Sequence, residues 1–106
     1  MSGSIVDFRP KVAFAFETIS ATGIAQGLTV ATFKPSGSAI ASEAFLTLSG
    51  GDIRYRYDGI APTASVGHLL SDGGYLRLKG QHQLENFKFI LTGTRTGVLS
   101  ISYERE

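Results

Sequence analysis

The chain has 106 residues, enough for one domain and too few for two. Its hydrophobic fraction of 42% is that of a globular protein, and its net charge of +1 gives no general attraction to nucleic acid. The lack of cysteine excludes disulfides, thiolate metal sites and cysteine nucleophiles. No apolar run approaches the roughly 18 residues of a membrane span, and the start, "MSGSIVDFRPK", is not ordered like a signal peptide. We therefore expect a soluble protein, made in the cytoplasm, with no membrane partner.

Residues 1–11 show no hydrophobic alternation and are predicted to form an N-terminal arm. The arm carries the apolar residues Ile5 and Phe8, which we expect to contact a partner. The remaining residues, 12–106, are predicted to form a single domain.

Apolar and polar residues alternate with a period of two in six short segments, a pattern typical of half-buried strands. The segments are "VAFAFE" (12–17), "AFLTLSG" (44–50), "IRYRYD" (53–58), "YLRLKG" (75–80), "NFKFILTG" (86–93) and "VLSISYE" (98–104). In the first segment, the pattern predicts that Val12, Phe14 and Phe16 point inward. "LTVATF" (28–33) and "VGHLL" (66–70) are weaker strand candidates, and "QHQLEN" (81–86) is a possible helical corner.

Glycine-rich turns at 49–52, 72–74 and 93–97 separate these segments and are predicted to close tight hairpins. Together the signals give seven or eight short strands and little helix. A single sheet of that size would leave one face uncovered. We therefore predict an all-β fold, a two-sheet β-sandwich of jelly-roll type, with a small β-barrel as the alternative.

The residue types that mark catalytic and metal sites are sparse. His68 and His82 are the only histidines, and neither has the spacing of a metal-ligand pair. No nucleophile elbow, phosphate-binding glycine loop or close acidic pair is present. We predict no catalytic residue, no metal and no cofactor. Since His68 is in phase with Val66 and Leu70, it is expected to point partly inward and to bond a backbone carbonyl or Asp58.

The stretch "IRYRYDGIAPTASVGHLL" (53–70) is predicted to contain two strands joined by a structural corner. Asp58 and Gly59 form a turn dipeptide, in which the aspartate side chain bonds the amide two residues on. Pro62 forces the preceding residue out of the helical region. The predicted corner consists of Asp58, Gly59, Pro62 and His68, and no dense cluster of oxygen ligands indicates calcium.

Five basic residues occupy the polar phase of predicted strands. They are Arg54, Arg56, Arg77, Lys79 and Lys88. If their strands are neighbours, they form a basic stripe. That stripe is either an ordinary solvated face or a contact for an acidic partner surface. Nucleic acid is an unlikely partner, because Tyr75 is the only clear aromatic residue in the same phase.

The sequence resembles a group of small proteins encoded in the structural gene regions of tailed bacteriophages and prophages. The shared pattern is an R-Y-R-aromatic-D-G turn, then P-T, G-H, an asparagine before F-x-F, and a final Y-E, across roughly residues 28–104. The matching residues are Arg54, Tyr55, Arg56, Asp58, Gly59, Pro62, Thr63, Gly67, His68, Asn86, Phe87 and Tyr103. The resemblance implies a non-enzymatic virion component of the head, neck or tail, with no catalytic residues to transfer.

Three hypotheses of function follow. The first is a virion structural protein, for capsid decoration or as a head or tail accessory, that binds itself and other virion proteins through the arm and a sheet edge. The second is a ligand- or carbohydrate-binding β-sandwich, against which the absence of tryptophan and the inward phase of most aromatic residues weigh. The third is a metal-dependent enzyme on a cupin-like barrel, using His68 and His82.

Overall fold

The computed structural model describes residues 11–35 and 40–105. Of these, 48% lie in strands and 11% in helices, so the predicted β-class is confirmed. The strands are β1 (Val12–Ala21), β2 (Gln26–Gly27), β3 (Glu43–Ser49), β4 (Ile53–Arg56), β5 (His68–Leu70), β6 (Tyr75–Lys79), β7 (Lys88–Leu91) and β8 (Gly97–Arg105). The helices are α1 (Val30–Phe33) and α2 (Gln81–Asn86). Within the described part of the chain, no helix is long and apolar enough to cross a membrane.

Within the residues that the structure describes, the strands form two antiparallel sheets of four, which do not close into a barrel. The first sheet has the order β1-β8-β3-β6 and the second the order β2-β7-β4-β5. The barrel alternative is therefore wrong, and two packed layers bury the apolar faces instead.

The core lies between the sheets and is built mainly from alternate residues of β3 and β8. Ala44, Leu46 and Leu48 from β3 are buried, as are Leu99, Ile101 and Tyr103 from β8. The second sheet, the two helices and the residue between α2 and β7 add further large side chains to the cluster, namely Phe33, Ile53, Leu84, Phe87 and Phe89. The inward phases predicted for β3 and β8 are thus confirmed, because both strands keep strict alternation over their length.

Of the three residues predicted to point inward from β1, only Phe14 contacts the core. Val12 and Phe16 are exposed, Phe16 by 62%, while Phe14 packs against the core. The register against β8 shifts between Ala13 and Ala15, so β1 carries a bulge at Phe14. One extra residue in a strand exchanges the faces of everything after it. From the bulge onward, Ile19 and its in-phase neighbours face the core instead.

The predicted hairpins at 49–52, 72–74 and 93–97 are also corrected. Each of these turns joins a strand of one sheet to a strand of the other, so each is a corner between layers. Position 50 requires glycine for two reasons. Its φ is +100°, and a Cβ atom there would lie 2.3 Å from the carbonyl oxygen of Thr96. Asp72 ties two corners together, because its Oδ1 accepts the Gly50 N–H at 2.8 Å.

The weak strand candidate "LTVATF" is wrong, since it contains the single turn of α1. Phe33, at the end of this turn, is buried against Tyr103, with 5.8 Å between the ring centroids. The candidate "VGHLL" does contain a strand, β5. "QHQLEN" forms α2, whose Leu84 is buried in the core.

Candidate functional site

The connection between β4 and β5, residues 57–67, joins neighbouring strands of the second sheet and carries most of the unusual sequence. Arg54, on β4, fixes this loop by side-chain hydrogen bonds. Its Nε donates to the carbonyl of Ala64 at 3.2 Å and its Nη1 to that of Gly67 at 2.9 Å. A guanidinium can make several such directional bonds at once. Arg54 therefore holds the loop against its own strand.

Asp58 closes the first turn of the loop. Its Oδ1 accepts the N–H of Ile60, two residues on, at 3.3 Å. Its carboxylate also binds Arg56 in a bidentate pair, with distances of 3.1 Å from Nε and 2.5 Å from Nη2. The hydrogen bond from Arg56 lowers the pKa of Asp58, and the same bond raises the pKa of Arg56. The carboxylate is thus held in its charged form.

Gly59, Pro62 and Gly67 allow the β4–β5 loop to approach its neighbours closely. Gly59 has a φ of +86°, and its N–H donates to the carbonyl of Asn86, at the end of α2, at 3.3 Å. A Cβ on Gly59 would lie 3.0 Å from Oδ1 of Asn86. Pro62 is buried, and a Cβ on Gly67 would contact it at 3.1 Å. The loop is therefore anchored at Gly59 and at Pro62, while most of its other residues are exposed.

His68 lies opposite Tyr55, which packs against the core, so its side chain is on the inner face as its phase predicts. It is nevertheless exposed, because β5 is the edge strand of its sheet. The predicted bond to Asp58 or to a carbonyl is wrong for the part of the chain described, where the imidazole contacts are with two rings. Tyr55 lies 5.4 Å away between centroids, and Tyr57 lies 6.1 Å away in a stacked arrangement.

An open cleft of about 520 Å³ lies at the edge of the second sheet. It is lined by Arg56, Tyr57, Asp58, Val66, Gly67 and His68. Tyr57 is 47% exposed here, although the alternation places it inward with Ile53. Tyr57 stays exposed because β4 ends at Arg56, one residue before it. The cleft combines an accessible aromatic ring with a charged donor–acceptor pair.

The five basic residues predicted to form a stripe are divided between the two sheets. Arg77 and Lys79 lie on β6 in the first sheet, whereas Arg54, Arg56 and Lys88 lie on β4 and β7 in the second. A continuous basic stripe is therefore not formed. Arg56 and Lys88 are direct cross-strand neighbours. Ile5 and Phe8, the predicted contact residues of the arm, lie outside the described residues.

The outer face of the first sheet carries a second notable group of side chains. Cross-strand pairing aligns Phe16, Ser102, Phe45 and Arg77 in one row. The Arg77 guanidinium lies 5.1 Å from the centroid of the Phe45 ring, which packs against Tyr75 at 6.0 Å. Tyr75 is 71% exposed. We call Phe16, Phe45, Tyr75 and Arg77 the outer-face patch.

Charges of both signs adjoin the outer-face patch. Arg77 pairs with Glu104 at 3.0 Å and with Glu43 at 3.4 Å. The hydrogen bond from Arg77 to Glu104 is the main reason that the pKa of Arg77 is raised. Lys79 lies opposite Glu43 in the neighbouring strand. The patch is therefore amphipathic and carries balanced charge along one side.

Within residues 11–35 and 40–105, no group of three or more histidine, aspartate or glutamate residues is placed to hold a metal ion. His68 lies on β5 and His82 on α2. Comparison of the chain with family models, curated proteins and solved structures finds no match.

Proposed function

We propose that this protein is a non-enzymatic virion structural component of a tailed phage or prophage. It acts in capsid decoration or as a head or tail accessory, by binding itself and other virion proteins. The resemblance in "IRYRYDGIAPTASVGHLL" supports the virion assignment. Several of the resembling residues build the β4–β5 corner, including Arg54, Asp58, Gly59 and Gly67. A motif that maintains a corner fits a structural protein.

We also propose that the sandwich is a jelly roll. Four of its antiparallel pairs are β1 with β8, β2 with β7, β3 with β6 and β4 with β5; β3 also pairs with β8 and β4 with β7, which joins these pairs into the two sheets. The numbers in each of the first four pairs add to nine, as they do when one long hairpin is rolled into two sheets. Jelly rolls occur in viral capsid proteins, lectins and cupins, so the fold is compatible with a virion role by analogy alone.

The observation that carries the self-association is the outer-face patch. Phe16 and Tyr75 are both mostly exposed, on a sheet face that otherwise carries mainly polar side chains. The bulge in β1 is what turns Phe16 outward, and bulges are a known means of re-aiming a side chain. Exposed aromatic side chains with arginine are typical of contact surfaces between proteins.

A second copy of the chain is the partner that this patch fits. Since Glu43 and Glu104 lie beside Arg77 and Lys79, a two-fold axis can set the acidic residues of one copy opposite the basic residues of the other. The edge strand β6 contributes Arg77 and Lys79, and the predicted arm with Ile5 and Phe8 adds to the same contact in this proposal. Other virion proteins would bind the remaining edges.

Self-association is tested by changing the outer-face patch. The wild-type chain of 11.3 kDa is expected to sediment as an oligomer, and Phe16→Glu with Tyr75→Glu to sediment as a monomer, because burying two carboxylates at the contact is costly. Ile24→Glu is the control, since Ile24 is 77% exposed but lies between β1 and β2, away from the patch. Sedimentation velocity over a range of concentrations measures the change. A wild-type monomer throughout, or an oligomer that the double variant leaves intact, contradicts this contact.

A further inference from the structure

The cleft at the end of β4 has features of a ligand site that self-association does not use. It lies on the second sheet, whereas the outer-face patch lies on the first. Its volume of about 520 Å³ is within the range of small-molecule sites, and it is open to solvent. Its side chains offer an aromatic ring, a guanidinium, a carboxylate and an imidazole at one place.

The ring of Tyr57 offers a flat apolar surface. Tyr57 is 47% exposed. Its ring stacks on His68 at an interplanar angle of 24°, which holds the ring in place. Aromatic faces carry negative charge density, so they attract the slightly positive C–H groups on the flat side of a pyranose ring. Tyrosine also loses little conformational entropy on binding, since it has only two side-chain torsions.

The Arg56–Asp58 pair supplies polar recognition next to this ring. A guanidinium has five N–H donors and a carboxylate about four acceptor sites, and their mutual contact uses two of each. The pair presents donors and acceptors side by side, which matches the vicinal hydroxyl groups of a sugar. The charges of Arg56 and Asp58 cancel within their ion pair, so the cleft favours a neutral ligand over an anion.

The walls of the cleft are fixed before any ligand binds. Arg54 bonds two carbonyls of the loop, and the side chain of Thr63 accepts the N–H of Val66 at 2.9 Å. Asp58 is held by Arg56 and by the turn at Ile60. A preformed site loses less entropy when it binds, which matters most for weak ligands such as single sugars.

We propose that this cleft binds a neutral saccharide, with one pyranose ring stacked on Tyr57 and adjacent hydroxyl groups on Arg56 and Asp58. In this assignment Arg54 is a positioning residue for the loop. The site would give the protein an attachment to glycans in addition to its contacts with other protein chains.

The test is a titration of ¹⁵N-labelled full-length protein, followed by NMR, with glucose, galactose, mannose and N-acetylglucosamine. At least one of these sugars is expected to shift the amides of residues 56–59 and 66–68 at millimolar concentration. Tyr57→Ala should weaken that binding by about tenfold or more, Asp58→Asn should also weaken it, and Tyr57→Phe should retain most of it. Since both residues are substantially exposed, the variants should keep the fold, which circular dichroism checks.

Tyr75→Ala is the matched control, because it removes an exposed tyrosine from the other sheet and should leave sugar binding unchanged. The same titration with inorganic phosphate and with adenosine tests an anion and a flat aromatic ligand. No shift with any of the four sugars overturns the proposal. So does a stronger response to phosphate or adenosine, or binding that Tyr57→Ala does not weaken. These outcomes are independent of the sedimentation test, which concerns the first sheet.

Discussion

Ile101→Ala is expected to lower the free energy of unfolding by about 2–5 kcal/mol. Ile101 is fully buried in the middle of β8, the strand that pairs with both β1 and β3. Truncation removes apolar contacts and leaves a cavity that the two flanking strands prevent from collapsing. Denaturation with urea, followed by circular dichroism, measures the change in midpoint.

Phe16→Ala is the control for this prediction, measured at a protein concentration where the chain is monomeric. Simple alternation assigns Phe16 to the core, but the bulge in β1 turns it to solvent, so its removal should cost no more than about 0.5 kcal/mol. A loss for Phe16→Ala as large as that for Ile101→Ala would mean that β1 has no bulge.

Tyr103 makes a part-buried polar contact between β8 and β1. Its ring is fully buried and its hydroxyl donates to Oε2 of Glu17, at 2.5 Å. The other carboxylate oxygen of Glu17 accepts the hydroxyl of Thr29 at 2.6 Å. One carboxylate on β1 thus joins β8 to the start of α1. Burial of the phenol, and then its bond to Glu17, raise the pKa of Tyr103 above its ordinary value of 10.0.

Tyr103→Phe should cost about 1.5–3 kcal/mol, the range for a hydrogen bond to a charged acceptor. Tyr103→Ala should cost about 3–5 kcal/mol, since it also removes a buried ring. Tyr75→Phe, at an exposed position, should change the stability by less than about 0.5 kcal/mol. Urea denaturation at neutral pH compares the three. An equal cost for Tyr103→Phe and Tyr75→Phe would show that the Glu17 contact is absent in solution.

The raised pKa gives this contact a pH dependence. Because the folded state binds the phenolic proton more tightly, the stabilisation is fully present below the unfolded pKa of about 10. It is lost as the pH rises from there towards the folded pKa. The advantage of the wild type over Tyr103→Phe should therefore shrink by about 1.4 kcal/mol between pH 8 and pH 11. A difference in stability that is constant over this interval would contradict the burial of the phenol.

The sequence predicts those parts of the fold that depend on local alternation. β3 and β8 keep a strict period of two, and their buried residues, such as Leu46 and Ile101, are found where the alternation places them. The bulge at Phe14 carries no local signal, because an extra residue is recognised only from the pairing with β8. The glycine turns were recognisable, but their connection of different sheets depends on long-range pairing.

The candidate site was only partly predictable for the same reason. The Asp58-Gly59 dipeptide predicts the corner, because the chemistry of a turn depends on neighbouring residues alone. The exposure of Tyr57 and His68 was not predicted, since it depends on where β4 ends and on β5 being an edge strand. The sequence also gives no sign that Arg54 donates hydrogen bonds to two backbone carbonyls. An arginine in the polar phase of a strand is equally expected to be solvated.

The central proposal, that the chain is part of a virion, is tested most directly by mass spectrometry of purified particles. Phage particles from the strain that encodes the chain are banded on a density gradient, and the fractions are digested with trypsin. Residues 57–77, between the cleavage sites at Arg56 and Arg77, give a peptide that spans the β4–β5 corner. We expect this peptide to band with the major capsid protein at a fixed ratio. Its presence only in the soluble fractions, while intact particles lack it, would contradict the proposal.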